Sequence, residues 1–221
     1  MIKRRTLLTY AMLGWAAAAG AQPVGAPPEP AVPPPDTAAT PPAVAVPGVR
    51  VALATSVGTI VIAVDTLHAP LTSANFLRYV TQKRLDGTSF YRALAFPTAP
   101  GFGLIQGGVR GDPKRSLKPV AHEPTSQTGI LHTDGTISMA RAAPGTATGD
   151  FFVTVGPITS LDAQPGGDPG FAAFGRVVEG MDVVRAILGA PTSPTAGEGA
   201  MKGQMLLAPV KIVTARRITT P

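Results

Sequence analysis

Chemistry needs a nucleophile, a proton carrier, a metal cage or a fixed charge, and this chain offers few of each. It has no cysteine, which removes disulfides, thiolate metal sites, a lipid-modified N-terminal Cys and a Cys nucleophile. Its three histidines, His68, His122 and His132, are too widely spaced for a zinc-binding helix motif. His122-Glu123 and His132 have the types to meet in space, yet surface or loop-anchoring roles are the commoner ones, and no metal is expected. Ser138 sits in Gly135-Thr136-Ile137-Ser138-Met139-Ala140, which reads as a strand and not as the sharp turn of a nucleophile elbow. Gly101-Phe102-Gly103 runs into Leu104-Ile105-Gln106, so a dinucleotide fingerprint lacks its third glycine, and no phosphate-binding loop is present. Hydrolytic, nucleotide and metal chemistry therefore have no visible carrier, and no cofactor is expected.

The elements that must position whatever remains are mostly short strands. Val51 to Thr55 and Thr59 to Val64 are β-branched runs separated by Ser56-Val57-Gly58, a hairpin with Gly supplying the turn. Thr72 and Ser73 are placed to cap a helix that carries Phe76, Leu77 and Val80 on one face and Lys83 and Arg84 in its last turn, with Gly87 ending it. Further strands are predicted at Ser89 to Leu94, Leu104 to Gln106, Thr136 to Ala140, Phe151 to Val155, Phe171 to Val178 and Val210 to Arg217. A second helix, Met181 to Leu188, has Val183, Val184, Ile187 and Leu188 as its apolar side. About eight short strands with two α-helices and Gly/Pro/Asp-rich loops predict a mainly β fold, a closed eight-stranded antiparallel barrel capped by the helices.

Several segments, taken in order and at their spacing, resemble the cyclophilin family over nearly the whole stretch from Val51 to Ile218. They are Phe90-Tyr91-Arg92; Gln106-Gly107-Gly108; Ile137-Ser138-Met139-Ala140-Arg141 with Pro144 and Phe151-Phe152; Leu161-Asp162; and Phe174-Gly175-Arg176-Val177-Val178-Glu179-Gly180-Met181. The resemblance implies a peptidyl-prolyl cis/trans isomerase acting on proline-containing, unfolded or exported polypeptides. Arg92 matches the family's catalytic arginine. Phe152, Leu104, Leu161 and Phe171 would wall an apolar pocket for the proline ring, with Phe102 as a further wall, and Gln106 would bind the peptide backbone. Ala140, Arg141 and Asp150 fall at the rim of the same groove.

Departures accompany the match. Ala95 through Pro100 are extra residues that displace the usual pocket aromatic and put Gly103 in its place; Ser160 stands at the usual Trp, Phe171 at a His, Asp150 at a Gln and Arg141 at an Asn. They bear on peptide preference, and Arg141 and Asp150 are close enough in the implied barrel to form an ion pair or to meet substrate polar groups. A second reading stays open: a catalytically weak peptide-binding chaperone or assembly factor on the same barrel.

Composition agrees with one such domain. The 221 residues are 44% hydrophobic and 14% charged, below the ~25% charge of ordinary globular chains, and the 25 Gly and 24 Pro imply many turns and unstructured positions. The formal charge of +6 falls to +3 without Lys3, Arg4 and Arg5, and the remaining basic residues form no stripe with aromatics, so nucleic acid is not an expected partner. Those three basic residues precede an apolar stretch from Leu7 to Ala19 and the small-x-small sequence Ala19-Gly20-Ala21, the pattern of a signal peptide over residues 1–21. Arg4-Arg5-Thr6-Leu7-Leu8 also resembles a twin-arginine signal. Export to the periplasm and no stable membrane insertion after cleavage are the expectations. Residues 22–48 hold ten prolines in 27 positions without hydrophobic periodicity, a disordered semi-rigid linker before an isomerase domain at 49–221, expected to be monomeric.

Overall fold

A computed structural model of the chain describes residues 48–218; the expected signal peptide, and the expected linker up to residue 47, lie outside the described residues. The strands are β1 (Val49–Thr55), β2 (Gly58–Val64), β3 (Ser89–Ala95), β4 (Gly103–Gly108), β5 (Thr136–Met139), β6 (Phe151–Val155), β7 (Ala173–Glu179), β8 (Thr192–Ser193) and β9 (Met205–Ile218). The helices are α1 (Pro70–Thr81), α2 (Thr125–Thr128) and α3 (Met181–Leu188). Eight strands pair antiparallel in the order β1-β2-β7-β5-β6-β4-β3-β9, and β9 returns to β1, closing the barrel that the strand count predicts. The two-residue β8 only adds to the end of β9.

Alternation fills the interior. Val51 and Leu53 from β1, Ile60 and Ile62 from β2, Ile137 from β5 and Ile212 from β9 are fully buried. Phe76 of α1 sits against Phe151 and Phe174 at ring separations of 5.6 and 5.1 Å, so the helix contributes an aromatic plug to the barrel's core. Each such ring is worth roughly 1.5–3 kcal/mol of transfer free energy. β9 keeps an exposed outer face, but every residue of β4 and β6 is buried, which means their outer face is covered too.

The helix boundaries correct the sequence reading. α1 begins earlier than Thr72 and Ser73 imply: Pro70 opens it, Ala69 stands at the cap position, and Thr72 and Ser73 are buried in its first turn. The free first-turn amides are satisfied from afar, because the buried Glu123 carboxylate accepts from Leu71 N–H at 3.1 Å and Thr72 N–H at 2.7 Å. The Ser73 hydroxyl donates to the Asp65 carbonyl instead. α1 also ends at Thr81, so Arg78 is the basic residue of its last turn, while Lys83, at φ 55°, and Arg84 belong to the turn that follows and Gly87 closes that turn. The one-turn α2 is a third α-helix that the sequence reading lacks. β9 starts at Met205, not Val210, and β7 starts at Ala173, not Phe171.

Gly58 shows why the first hairpin needs its glycine. Its φ is +143°, and an added Cβ would lie 2.6 Å from Val183 Cγ2, so the turn and the seat of α3 both depend on the missing side chain.

Candidate active site

Sheet register builds the site. Arg92 on β3 pairs with Gln106 on β4, Gln106 pairs with Phe152 on β6, and Phe152 pairs with Ser138 on β5. With strands about 4.8 Å apart, a cation, an amide and an aromatic ring stand in one row about 10 Å long on the outer face of the barrel.

A bulge makes this row possible. Phe90 pairs with Gly107 and Arg92 with Gln106, leaving Tyr91 as the extra residue of β3. Phe90 and Ala93 join the interior core, whereas Tyr91 and Arg92 both turn to the Gln106 side.

Hydrogen bonds fix the polar end with a single sense of donation. Arg92 Nη1 donates to Gln106 Oε1 at 2.7 Å, and Arg92 Nε donates to Gln204 Oε1 at 2.8 Å. Gln106 Nε2 donates to Tyr91 Oη at 2.8 Å, and that hydroxyl donates to Asp150 Oδ1 at 3.2 Å, which also receives the Arg110 backbone N–H at 2.7 Å. Nη2 of Arg92 makes no hydrogen bond among the described residues. Burial pulls the Arg92 pKa below its usual value, with the nearby Tyr91 opposing; a guanidinium nevertheless keeps its charge. Burial raises both the Tyr91 hydroxyl, helped by the Asp150 charge, and the Asp150 carboxyl, against the Arg110 and Tyr91 hydrogen bonds.

The apolar end is a second hydrophobic cluster, separate from the barrel core. Leu104, Phe152 and Ile158 are buried in it, and Leu94, Phe96, Ala140, Leu161 and Phe171 pack around them half-buried. The Phe152 and Phe171 rings meet edge to face at 5.4 Å. Leu104, Phe152, Leu161, Phe171 and Ala140 are thus brought together as expected. Phe102 stays outside this cluster: it is 42% exposed and stands over Gly156, where an added Cβ would be 2.6 Å from its ring. The aromatic that the extra residues supply to the cluster is Phe96, and Gly103 leaves its strand position filled by backbone alone.

Arg141 and Asp150 do not pair. Arg141 donates through Nη2 to Asp168 Oδ1 at 2.9 Å and through Nε to the Gly170 carbonyl at 3.0 Å, and its guanidinium lies 4.7 Å from the Phe171 ring centre. It thereby clamps Phe171 and the loop before it, while Asp150 is committed to Tyr91 and Arg110.

Behind Phe152 lies an array of Ser138, His132 and Asp162. His132 Nδ1 is 2.7 Å from Asp162 Oδ1, its Nε2 is 3.0 Å from Ser138 Oγ, and its ring stacks on Phe152 at 5.8 Å. Carboxylate acceptance assigns the proton to Nδ1, so Nε2 accepts from the Ser138 hydroxyl. Ser138 and His132 are 0% and 1% exposed, so no substrate carbonyl can reach the hydroxyl and the array is an anchor, not a hydrolytic triad. It ties β5 to the turn that carries Leu161 and supports Phe152 from below. Burial lowers the His132 pKa, with the Asp162 carboxylate opposing.

An X-Pro amide laid along this row would place its proline ring in the apolar cluster and its carbonyl beside Arg92. The model of the family described as cyclophilin type peptidyl-prolyl cis-trans isomerase/CLD matches residues 50–216. The chain belongs to the cyclophilin family. It is 36% identical over 170 residues to a peptidyl-prolyl cis-trans isomerase of Acinetobacter baylyi, a match covering 75% of this chain and 84% of that one. It is 38% identical to the isomerase cyp18 of Streptomyces antibioticus, over 66% of this chain and 87% of the relative. The cyclophilin fold is also that of a crystal structure from Cryptosporidium parvum, with a TM-score of 0.59 at 19% identity, covering 78% of this chain and 99% of that one. The chain is a peptidyl-prolyl cis-trans isomerase of cyclophilin type acting on proline-containing polypeptides.

Tyr91, Gln204, Phe96 and the Ser138–His132–Asp162 array are the parts of this site that sequence reasoning missed. Tyr91 sits inside a quoted motif, but the residue types of Phe90-Tyr91-Arg92 do not mark its middle member as the bulge that re-aims Arg92. Gln204 carried no signal: it is 112 positions from Arg92, in a loop before the predicted strand.

Proposed function

We propose that this cyclophilin accelerates X-Pro rotation by electrostatic stabilisation of the twisted amide, with Arg92 as the donor. The planar bond resists rotation by ~18–20 kcal/mol and exchanges unaided in tens to hundreds of seconds. As the amide twists, conjugation is lost and the nitrogen gains a lone pair, so a fixed cation gains more interaction with the transition state than with the planar substrate. The observation that carries this reading is the guanidinium clamped between the Gln106 and Gln204 amide oxygens at the edge of an apolar cluster, its Nη2 still without a protein partner among the described residues. Gln106 orients the arginine and the peptide backbone, and Leu104, Phe152, Leu161 and Phe171 hold the ring and keep water from it. No bond is made or broken, so no proton carrier is required.

We propose likewise that the enzyme works outside the cytoplasm on exported polypeptides. The support is the basic, apolar and small-residue pattern of residues 1–21. The test measures cis-to-trans exchange of a short X-Pro peptide against concentration of the full chain, together with the N-terminal mass of the protein from a periplasmic fraction. Exchange should rise in proportion to protein, and the chain should begin at Gln22. A flat exchange rate overturns the catalytic reading, and an intact Met1 in the cytoplasm overturns export.

A further inference from the structure

Beyond Gln106, on the side away from the apolar cluster, lies a cavity of about 440 Å³. Its walls include Tyr91, Gln106, Asp150, Glu198, Met201 and Met205. We propose that this cavity is a second substrate subsite, taking the lysine or arginine side chain of a residue two or three positions from the proline. The proposal rests on the isomerase reading of the groove.

Position comes from the strand. Leu104, in the proline cluster, and Gln106, at the cavity wall, are alternate residues of β4, about 7 Å apart. An extended peptide advances about 3.3 Å per residue, so a side chain two or three residues from a proline in the cluster reaches the cavity.

Chemistry comes from the walls. Two carboxylates border the space, and among the described residues neither Asp150 nor Glu198 belongs to an ion pair. The one basic residue at the cavity, Arg110, meets Asp150 through its backbone N–H, and its guanidinium lies over the Tyr91 ring, 5.3 Å from the centre. The thioethers of Met201 and Met205 and the edge of Tyr91 suit the methylene stem of a long basic side chain. Burial holds the Asp150 carboxyl above its usual pKa even though the Arg110 charge and the Arg110 and Tyr91 hydrogen bonds pull it down, and an incoming cation would add to that relief.

The loop that closes the cavity is tied to the reaction centre. Gly203 N–H donates to the Ala196 carbonyl, closing the loop on itself, and Gln204 donates through Nε2 to the Ala200 carbonyl at 2.6 Å while its Oε1 holds Arg92. Glu198 and the catalytic arginine thus share one wall.

The test compares kcat/KM for X-Pro peptides carrying lysine or norleucine at the second or third residue on either side of the proline, at low ionic strength, using the full chain. At one of these positions lysine should win by about three- to fivefold, the range for one exposed and one half-buried carboxylate, and the preference should shrink in high salt. The exposed Glu198→Gln should reduce that ratio, and Glu198→Lys should reverse it in favour of a glutamate peptide. Ratios within twofold at every position, or a lysine preference that Glu198→Lys leaves intact, overturn the subsite while leaving the isomerase standing. Failure to turn over even the norleucine peptides overturns both readings.

Discussion

Replacing Arg92 by Ala removes three things at once: the donor we propose for the twisting amide, the partner of Gln106 Oε1 and the partner of Gln204 Oε1. Preorganised donors of this kind are worth ~2.7–4 kcal/mol when deleted, which at 1.36 kcal/mol per decade is roughly a hundredfold to a thousandfold in kcat/KM. The fold should survive. Arg92 is half-buried and puts no atom into the barrel core; water can replace the guanidinium at the half-buried Gln204, whereas the buried Gln106 oxygen loses its donor. The stability loss is therefore that of one buried acceptor left without its donor, about 1–3 kcal/mol. Lysine keeps the charge but has no planar fork; it cannot engage Gln106 and Gln204 together and still present a donor to the substrate, so Arg92→Lys should recover only about a decade. Peptide exchange rates for the parent and both variants, with circular dichroism and melting curves, measure all of this. A folded Arg92→Ala within about threefold of the parent would refute the assignment of Arg92 as the donor, whatever the rest of the groove does.

Gln204→Ala should lower kcat by about three- to tenfold with a smaller change in KM, because it frees the guanidinium without touching the proline pocket; an unchanged kcat would show that Gln106 alone positions Arg92. His132 should make stability acid-sensitive. Its pKa is lowered by burial, so the unfolded chain takes up this proton first; the His132 contribution is complete above the unfolded value of about 6.5 and is lost as pH falls below it. Melting temperature against pH should drop more steeply from pH 6.5 downward for the parent than for His132→Gln, and parallel curves would sink the idea.

Local pattern carried the barrel well. The β-branched runs of β1 and β2, the glycine between them and the apolar side of α3 lie where their spacing predicts. It failed where distant residues take over a local job. Thr72 and Ser73 look like caps, but Glu123, about 50 positions away, already satisfies the first-turn amides, and the helix can then start at Pro70. The beginning of β9 was hidden because Met205 to Pro209 mixes buried and exposed apolar residues before a proline, with no period of two until Val210. In the site, the residues within matched segments were legible as a set, and their row across four strands follows from the pairing. Arg141 and Asp150 illustrate the limit of such reasoning: Ala140 N–H bonds the Asp150 carbonyl, so the backbones are adjacent, yet Arg141 turns toward Asp168 and Gly170. Backbone neighbourhood does not fix where a long side chain finds its counter-charge.

One inserted residue decides the catalytic end of the groove. In an uninterrupted β3, alternation from the inward Phe90 would put Tyr91 outside and Arg92 inside, burying an arginine among the aliphatic side chains of the core. The bulge at Tyr91 resets the phase, so Arg92 joins Tyr91 on the outer face and Ala93 returns to the interior. The unpaired residue is not wasted, since its hydroxyl relays Gln106 to Asp150. Each member of that chain has its donor sense set by the next: the guanidinium can only donate, the ionised carboxylate can only accept, and the amide between them must turn its oxygen to Arg92. Gln106 is therefore held in one of its two flips before any substrate arrives. A preorganised donor is what catalysis by charge alone requires, and here the preorganisation begins with a break in strand register.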